Sequence, residues 1–384
     1  MTDFQTWPDL AVRTLGGSVV AANDELFAQR ENLINAAPPV FEPSTFGHKG
    51  KVYDGWETRR RREPGHDAAV VRLGVPGVVH GVVVDTAWFR GNYPPQASVE
   101  GLCVLGYPSA GDLTDHPGWE TIVPRSDLAG DAQNAFAVDS DRRWTHVRLS
   151  IYPDGGVARL RVHGEPVPDP RLLDVGAIDL AATENGGRVV GCSDMFYGSP
   201  ANLISPGLAR SMGEGWETAR RRDDGNDWVQ VALAGAGTVR LAELDTSYFV
   251  GNAPGWARIT GADATAGDLA DPTAWREMLP RTPLQPDTHH RFVLGEAPAV
   301  THVRLDVYPD GGMARLRLLG SLSPAAREAL GLRWFTGLSE ASATQVLADA
   351  GVDDEQAREL AARRPIVVDD LPASARVVVT GAAA

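Results

Sequence analysis

Cysteine is almost missing from this chain: Cys103 and Cys192 are the only two in 384 residues. Two distant thiols exclude a disulfide framework, a zinc knuckle and a CxxC redox pair, and they favour a reducing compartment, so a cytoplasmic location is expected. Apolar runs of the ~18 residues that cross a bilayer are missing too, and the opening MTDFQTWPDL lacks the basic and apolar regions of a secretion signal. No membrane partner is expected. Excess positive charge is also missing. Lys and Arg number 36 against 50 Asp and Glu, a net charge of −14, and the pI near 5.1 argues against a nucleic-acid partner. Any anionic ligand must meet a local basic cluster.

The chain also lacks a P-loop, a GxGxxG after a strand, a GxSxG elbow, an HExxH and a carboxylate-rich loop, so nucleotide, hydride and acyl-enzyme chemistry find no support. No cofactor is expected, although a divalent metal shared by His66, Asp67 and Asp85 stays open. Tyr and Phe are scarce, 7 and 10, beside 41 Gly and 27 Pro. That balance describes many turns between short elements and favours β structure.

What the chain does have is a duplication. Asp54-Gly-Trp-Glu-Thr-Arg-Arg-Arg-Arg62 recurs as Glu214-Gly-Trp-Glu-Thr-Ala-Arg-Arg-Arg222, 7 of 9 identical at an offset of 160. Asp85-Thr86, Phe89, Gly91-Asn92 and Pro94 return at the same offset as Asp245-Thr246, Phe249, Gly251-Asn252 and Pro254. Thr145–Gly164 then matches Thr301–Gly320 at 15 of 20 positions, with the offset reduced to 156. A unit of roughly 150–170 residues is a whole domain rather than a solenoid repeat.

The unit reads as strands. His146, Arg148 and Ser150 alternate with Val147, Leu149 and Ile151, and Pro153-Asp154-Gly155-Gly156 turns the chain back. Val70–Leu73 and Val78–Val84 are further β-branched runs on either side of a Gly- and Pro-rich break. The fold class is therefore all-β: two tandem jelly-roll-like β-sandwich domains, residues 1–164 and 176–320, joined by a linker at 165–175. A short, mostly helical extension follows at 321–384. Its signals are Ser323-Pro324, Ser339-Glu340, and Asp353 to Arg364 stopped by Pro365.

The two GWET-arginine segments, the DT..F.GN.P loops and the THVRL..YPDGG.ARLR hairpins resemble the allantoicase family over about residues 10 to 320. Lys49 to Arg60, Gly65-His66-Asp67 and Val84 to Pro94 are the most specific stretches. The resemblance implies tandem jelly rolls, a small ureide substrate and hydrolysis of allantoate to ureidoglycolate and urea in purine degradation. Trp334 to Ala350 and Arg358 to Pro365 are similar to the first helices of the ureidoimidazoline decarboxylases. The HPxxG-type motif of that family is absent, so no decarboxylase chemistry is implied.

Allantoate carries a carboxylate and two ureido groups on one carbon, and one carbon–nitrogen bond must break. Such a site needs a cation or amide donors for the carboxylate, an acid near the departing nitrogen and a base for water. Arginine forks suit the oxygens, and Asp, Glu and Asn suit the N–H groups. Direct displacement and elimination both remain open.

The duplication offers an internal comparison. Arg59 faces Ala219, His66 faces Asn226 and Tyr93 faces Ala253, so the first repeat keeps chemistry that the second has lost. The catalytic candidates are Glu57, Arg59, His66, Asp67 and Asp85; the substrate-binding candidates are Arg60, Asn92, Tyr93 and Trp56. Each has a plainer reading: the Arg59–Arg62 run as a solvated face, Asp85 and Asn92 as turn formers, Trp56 as a core anchor. A non-catalytic tandem ligand-binding module is the competing function. Leu332, Trp334, Phe335 and Leu338 of the tail motivate homo-oligomer formation.

Overall fold

A computed structural model of the chain describes residues 4–48 and 50–381. Lys49, the first residue of the most specific family-like stretch, lies outside the described residues. The chain divides into two compact units: the first repeat through Val167 with Trp334–Ile366, and Pro168–Arg333 with the chain from Val367 onward.

In the first unit the organising element is one strand, Asp67–Asp85. The sequence reads it as two runs across a break, but the chain stays extended through Gly74-Val75-Pro76-Gly77. That segment becomes the corner where the strand passes from one layer to the other. Asp67–Arg72 pairs with His146–Ile151 of the strand Arg143–Tyr152, and after a register shift the stretch from Gly81 to Asp85 pairs with Gln133–Ala137 and Arg159–His163. Small residues permit this change of sheet. One layer runs in the order Ser18–Ala22, Asp67–Asp85, Arg143–Tyr152, Gln96–Leu102 and Glu120–Asp127. This is the expected jelly-roll-like sandwich.

Period-two alternation then sorts the side chains of that layer. Ala69, Val71, Val99, Val147, Leu149 and Ile151 are buried in the core. Their neighbours at 68, 70, 98, 100, 148, 150 and 152 share the opposite, outer face. A short helix, Ala110–Thr114, is capped by Ser109 and sets Leu113 against Val70 and Leu102, covering one part of that face.

The second unit repeats the plan. Asp227–Asp245 is its bent strand, pairing with Val300–Tyr308 through Asp227–Ala232 and with Arg315–Leu322 beyond Gly237. The turn motif Pro-Asp-Gly-Gly recurs for a steric reason. Gly155 and Gly311 have φ of +145° and +143°, and a Cβ there would lie 2.6 Å from the nitrogen of Pro94 or Pro254.

Glu165 and Pro166, assigned to the linker from sequence, finish the strand Arg159–Pro166; a short 3-10 turn at Pro170–Leu173 follows. The tail forms helices Pro324–Gly337, Glu340–Asp349, Asp354–Ala362 and Ala373–Thr380. Ser339 and Asp353 supply the expected N-caps. Trp334, Phe335 and Leu338 are buried within this chain, where Ser339 Oγ donates to Cys103 O and Arg364 donates to the carbonyls of Phe335 and Leu338. Those three side chains pack within the chain, whereas Leu332 is half-buried. No helix among the described residues is long and apolar enough to cross a membrane.

Candidate active site

The residues singled out from sequence fall into three groups. Trp56 and Glu57 form a two-residue strand paired with Gly156-Val157. Trp56 is fully buried and donates through Nε1 to Asp24 O at 2.7 Å. Glu57 is 8% exposed and accepts from Asn92 Nδ2 at 2.7 Å; burial pushes its carboxyl above the ordinary value, and the Asn92 hydrogen bond partly offsets this. Asn92 O also accepts from Gly156 N. The second repeat has the same brace, Asn252 Nδ2 to Glu217 at 2.6 Å.

Asp85 caps its own turn through Ala87 N at 2.8 Å, as Asp245 does through Ser247 N. Tyr93 is half-buried, and its ring lies over the backbone of Gly130. Arg60 is exposed.

Arg59 and Asp67 belong to a second group, built on Asn23-Asp24. Arg59 is largely exposed and reaches Asp24 with Nε at 2.6 Å, while its backbone N–H meets the other carboxylate oxygen. Burial opposes ionisation of Asp24, but hydrogen bonds from Leu26 and Arg59 outweigh it and hold the carboxyl below its usual range. Asp67, 1% exposed, accepts from Arg61 Nη1 at 2.7 Å and from Asn23 Nδ2 at 3.0 Å. Among the described residues no group of three His, Cys, Asp or Glu side chains is placed to hold a metal, so His66, Asp67 and Asp85 do not form one.

His66 alone of the candidates lines a cleft of about 650 Å³ on the outer sheet face of this unit. That volume is within the ~300–1,000 Å³ range of small-molecule sites. Its remaining polar residues were missed from sequence. Tyr152 packs against two neighbours: the His66 ring, tilted 41° to it with centroids 4.9 Å apart, and the Arg125 guanidinium 4.0 Å from its ring. Its hydroxyl shares a hydrogen bond of 2.9 Å with Ser98. Tyr152 is thus a wall of the cleft as well as the start of a turn.

Arg125 is fixed by Gln96 at 2.7 Å. Arg148 donates through Nε to Glu100 at 2.6 Å and through Nη1 to Thr114 O at 3.1 Å, and lies 4.6 Å from the Trp119 ring. Ser150 forms the floor between these groups. In a chain of strongly negative charge this pocket sets Arg125 and Arg148 against Glu100 alone. It is the local basic cluster that an anionic ligand requires.

Why did the sequence not reveal it? Arg125, Arg148 and Tyr152 recur as Arg281, Arg304 and Tyr308, so a search for chemistry unique to one copy passes over them. The available signal was size. Ala68, Ser98 and Ser150 correspond to Trp228, Arg258 and Asp306, in matching register across both sheets.

The family model for the allantoicase repeat matches residues 8–167 and again 178–323. A probable allantoicase of Nocardia farcinica is 61% identical over 321 residues, covering 83% of this chain and 95% of that protein. One of Streptomyces coelicolor is 54% identical, covering 83% and 87%. The crystal structure of allantoicase from Saccharomyces cerevisiae superposes with a TM-score of 0.72 at 34% identity, over 82% of this chain and 92% of that one. With two tandem sandwiches in matching register and this likeness across both, the chain belongs to the allantoicase family.

Proposed function

We propose that this enzyme hydrolyses allantoate to ureidoglycolate and urea in purine degradation, and that it does so in the cleft of the first repeat. The activity is that of its family; the placement rests on one observation, the paired guanidiniums of Arg125 and Arg148 around an open, small-residue floor. Arginine forks match carboxylate and ureido oxygens in plane and charge. The Ser98 hydroxyl serves a ureido group, Ser150 contributes the room its small side chain leaves, and His66 is the imidazole suited to carrying a proton to the departing nitrogen.

Arg59 and Asp67 support this arrangement from behind: Asp67 and the Ala68 N–H both bond Asn23, which lines the cleft next to His66. Glu57, Asn92, Trp56 and Asp85 act through the framework, bracing the Gly155-Gly156 turn and its neighbours. Tyr93 and Arg60 lie outside the cleft lining. No metal takes part in this reading, because the cleft offers cations and hydroxyls where a divalent ion wants several carboxylates or imidazoles.

Urea release from allantoate tests the proposal. Wild-type protein is expected to produce urea, and His66→Ala and Arg148→Ala to lower turnover by about 10²–10³ with little change in thermal stability. Full activity in both variants places the site elsewhere, and no urea from the wild type returns the competing reading of a ligand-binding module.

A further inference from the structure

The second repeat shows what occupies the corresponding place when the cleft is filled from within. Asp306 there is 6% exposed. Its carboxylate accepts from Arg304 Nε and Nη2, at 3.0 and 2.9 Å, and from Asn226 Nδ2 at 3.0 Å. Trp228 lies over Gly191 and under the Arg304 guanidinium, 4.5 Å from its ring.

In the first repeat the Asp306 carboxylate and the indole have no counterpart at their positions, and Arg148 turns Nε to Glu100 and Nη1 to Thr114 O of the cleft lining instead. Arg148 stands for Arg304, His66 for Asn226, Ser150 for Asp306 and Ala68 for Trp228. The same sheet position thus has a donor set that holds a carboxylate in one copy and an open floor in the other.

We infer that the ligand's carboxylate binds in the first repeat at the place Asp306 fills in the second, received by Arg148 above Ser150 and beside His66. The inference rests on the cleft being the site of hydrolysis and assigns its two arginines different tasks. Arg148 takes the carboxylate, and Arg125, stacked on Tyr152, takes a ureido group. Because carboxylate and scissile bond share the α-carbon, this pose sets the breaking bond within reach of His66. The second repeat, carrying its own carboxylate, binds no substrate, so each chain binds one.

Ser150→Asp tests this by giving the first repeat the second repeat's carboxylate, with Ser150→Asn as the uncharged control of the same shape. The probes are N-carbamoylglycine, a carboxylate with one ureido group, and its neutral amide, each titrated against the full chain beside urea-release kinetics. Ser150→Asp is expected to weaken the acid probe and raise KM for allantoate at least 100-fold, while Ser150→Asn changes both less than tenfold and the amide binds both alike. The wild type is expected to bind one acid probe per chain.

Equal weakening in Ser150→Asp and Ser150→Asn overturns the inference, as do two probes per chain. Normal acid-probe binding in Ser150→Asp with lost turnover removes the carboxylate assignment but leaves the cleft. Normal binding with normal turnover removes the cleft reading too. If Ser150→Asp does not fold, Arg148→Gln reads the same distinction: loss of the acid probe with retention of the amide supports the pose, and retention of both overturns it.

Discussion

At one sheet position the first repeat carries Ala68, Ser98 and Ser150, and the second carries Trp228, Arg258 and Asp306. Around these positions the two copies keep the same bent strand, the same PDGG turn, the same Glu–Asn brace and the same pair of arginines. Duplication preserved the scaffold and its charges while the two fillings diverged. On the proposed placement, a repeat gives up its binding site as readily by filling its space as by deleting its chemistry. In the second repeat Arg304 packs with Asp306 and Trp228, while Tyr308 keeps Arg281 as Tyr152 keeps Arg125.

The largest effect that separates the copies is expected from the arginines. Arg148→Ala should lower kcat/KM for urea release by about 10²–10³, and Arg304→Ala should leave it near wild type. An equal loss in both would mean that both repeats take part.

A pH difference follows next. Burial, helped by the nearby charges of Arg72 and His116, depresses the His146 imidazole to about 4. The folded chain therefore resists a proton that the unfolded chain accepts near pH 6.5. The stability this represents is present above pH 6.5 and is lost as pH falls towards 4, amounting to about 3 kcal/mol. Denaturant titrations at pH 7 and pH 4 should show His146→Gln flattening that decline. His302 is lowered by the same main cause, burial, but is less enclosed, and His302→Gln should flatten it less.

A smaller stability effect tests the filling itself. Asp306→Asn should cost roughly 1–2 kcal/mol by thermal unfolding, since it weakens charge-assisted hydrogen bonds to a mostly buried group, whereas Ser150→Asn should be near neutral. The smallest contrast is expected at the shared brace. Glu57→Gln and Glu217→Gln should each shift stability by less than about 1 kcal/mol and preserve urea release, because an uncharged amide oxygen also accepts from the asparagine. Lost activity in Glu57→Gln alone would bring Glu57 into the chemistry.

Particular residues show how far sequence could reach. The alternation from His146 to Ile151 set Arg148 and Ser150 on the polar side of a strand, and the caps Ser339 and Asp353 started helices where expected. The break at Gly74–Gly77 concealed a continuous strand, since a corner between sheets and a loop use the same residues. His66 was found because its twin differs in kind. Ser150 was not found because a small side chain carries no chemical signal of its own; its meaning is the room it leaves.

By itself the sequence determined the duplication, read by direct comparison of its two halves, and the all-β class and helical tail, because alternation and capping act over short separations along the chain; the kind of chemistry came from the resemblance to a family. Tertiary structure decided which polar residues share a surface. Arg125 comes from one strand, Arg148 and Tyr152 from another and His66 from the loop before a third, and only sheet register sets them around one floor. It also decided that Trp334, Phe335 and Leu338 of the tail are buried within the chain. Both outcomes depend on distances through space, which spacing along a sequence does not encode.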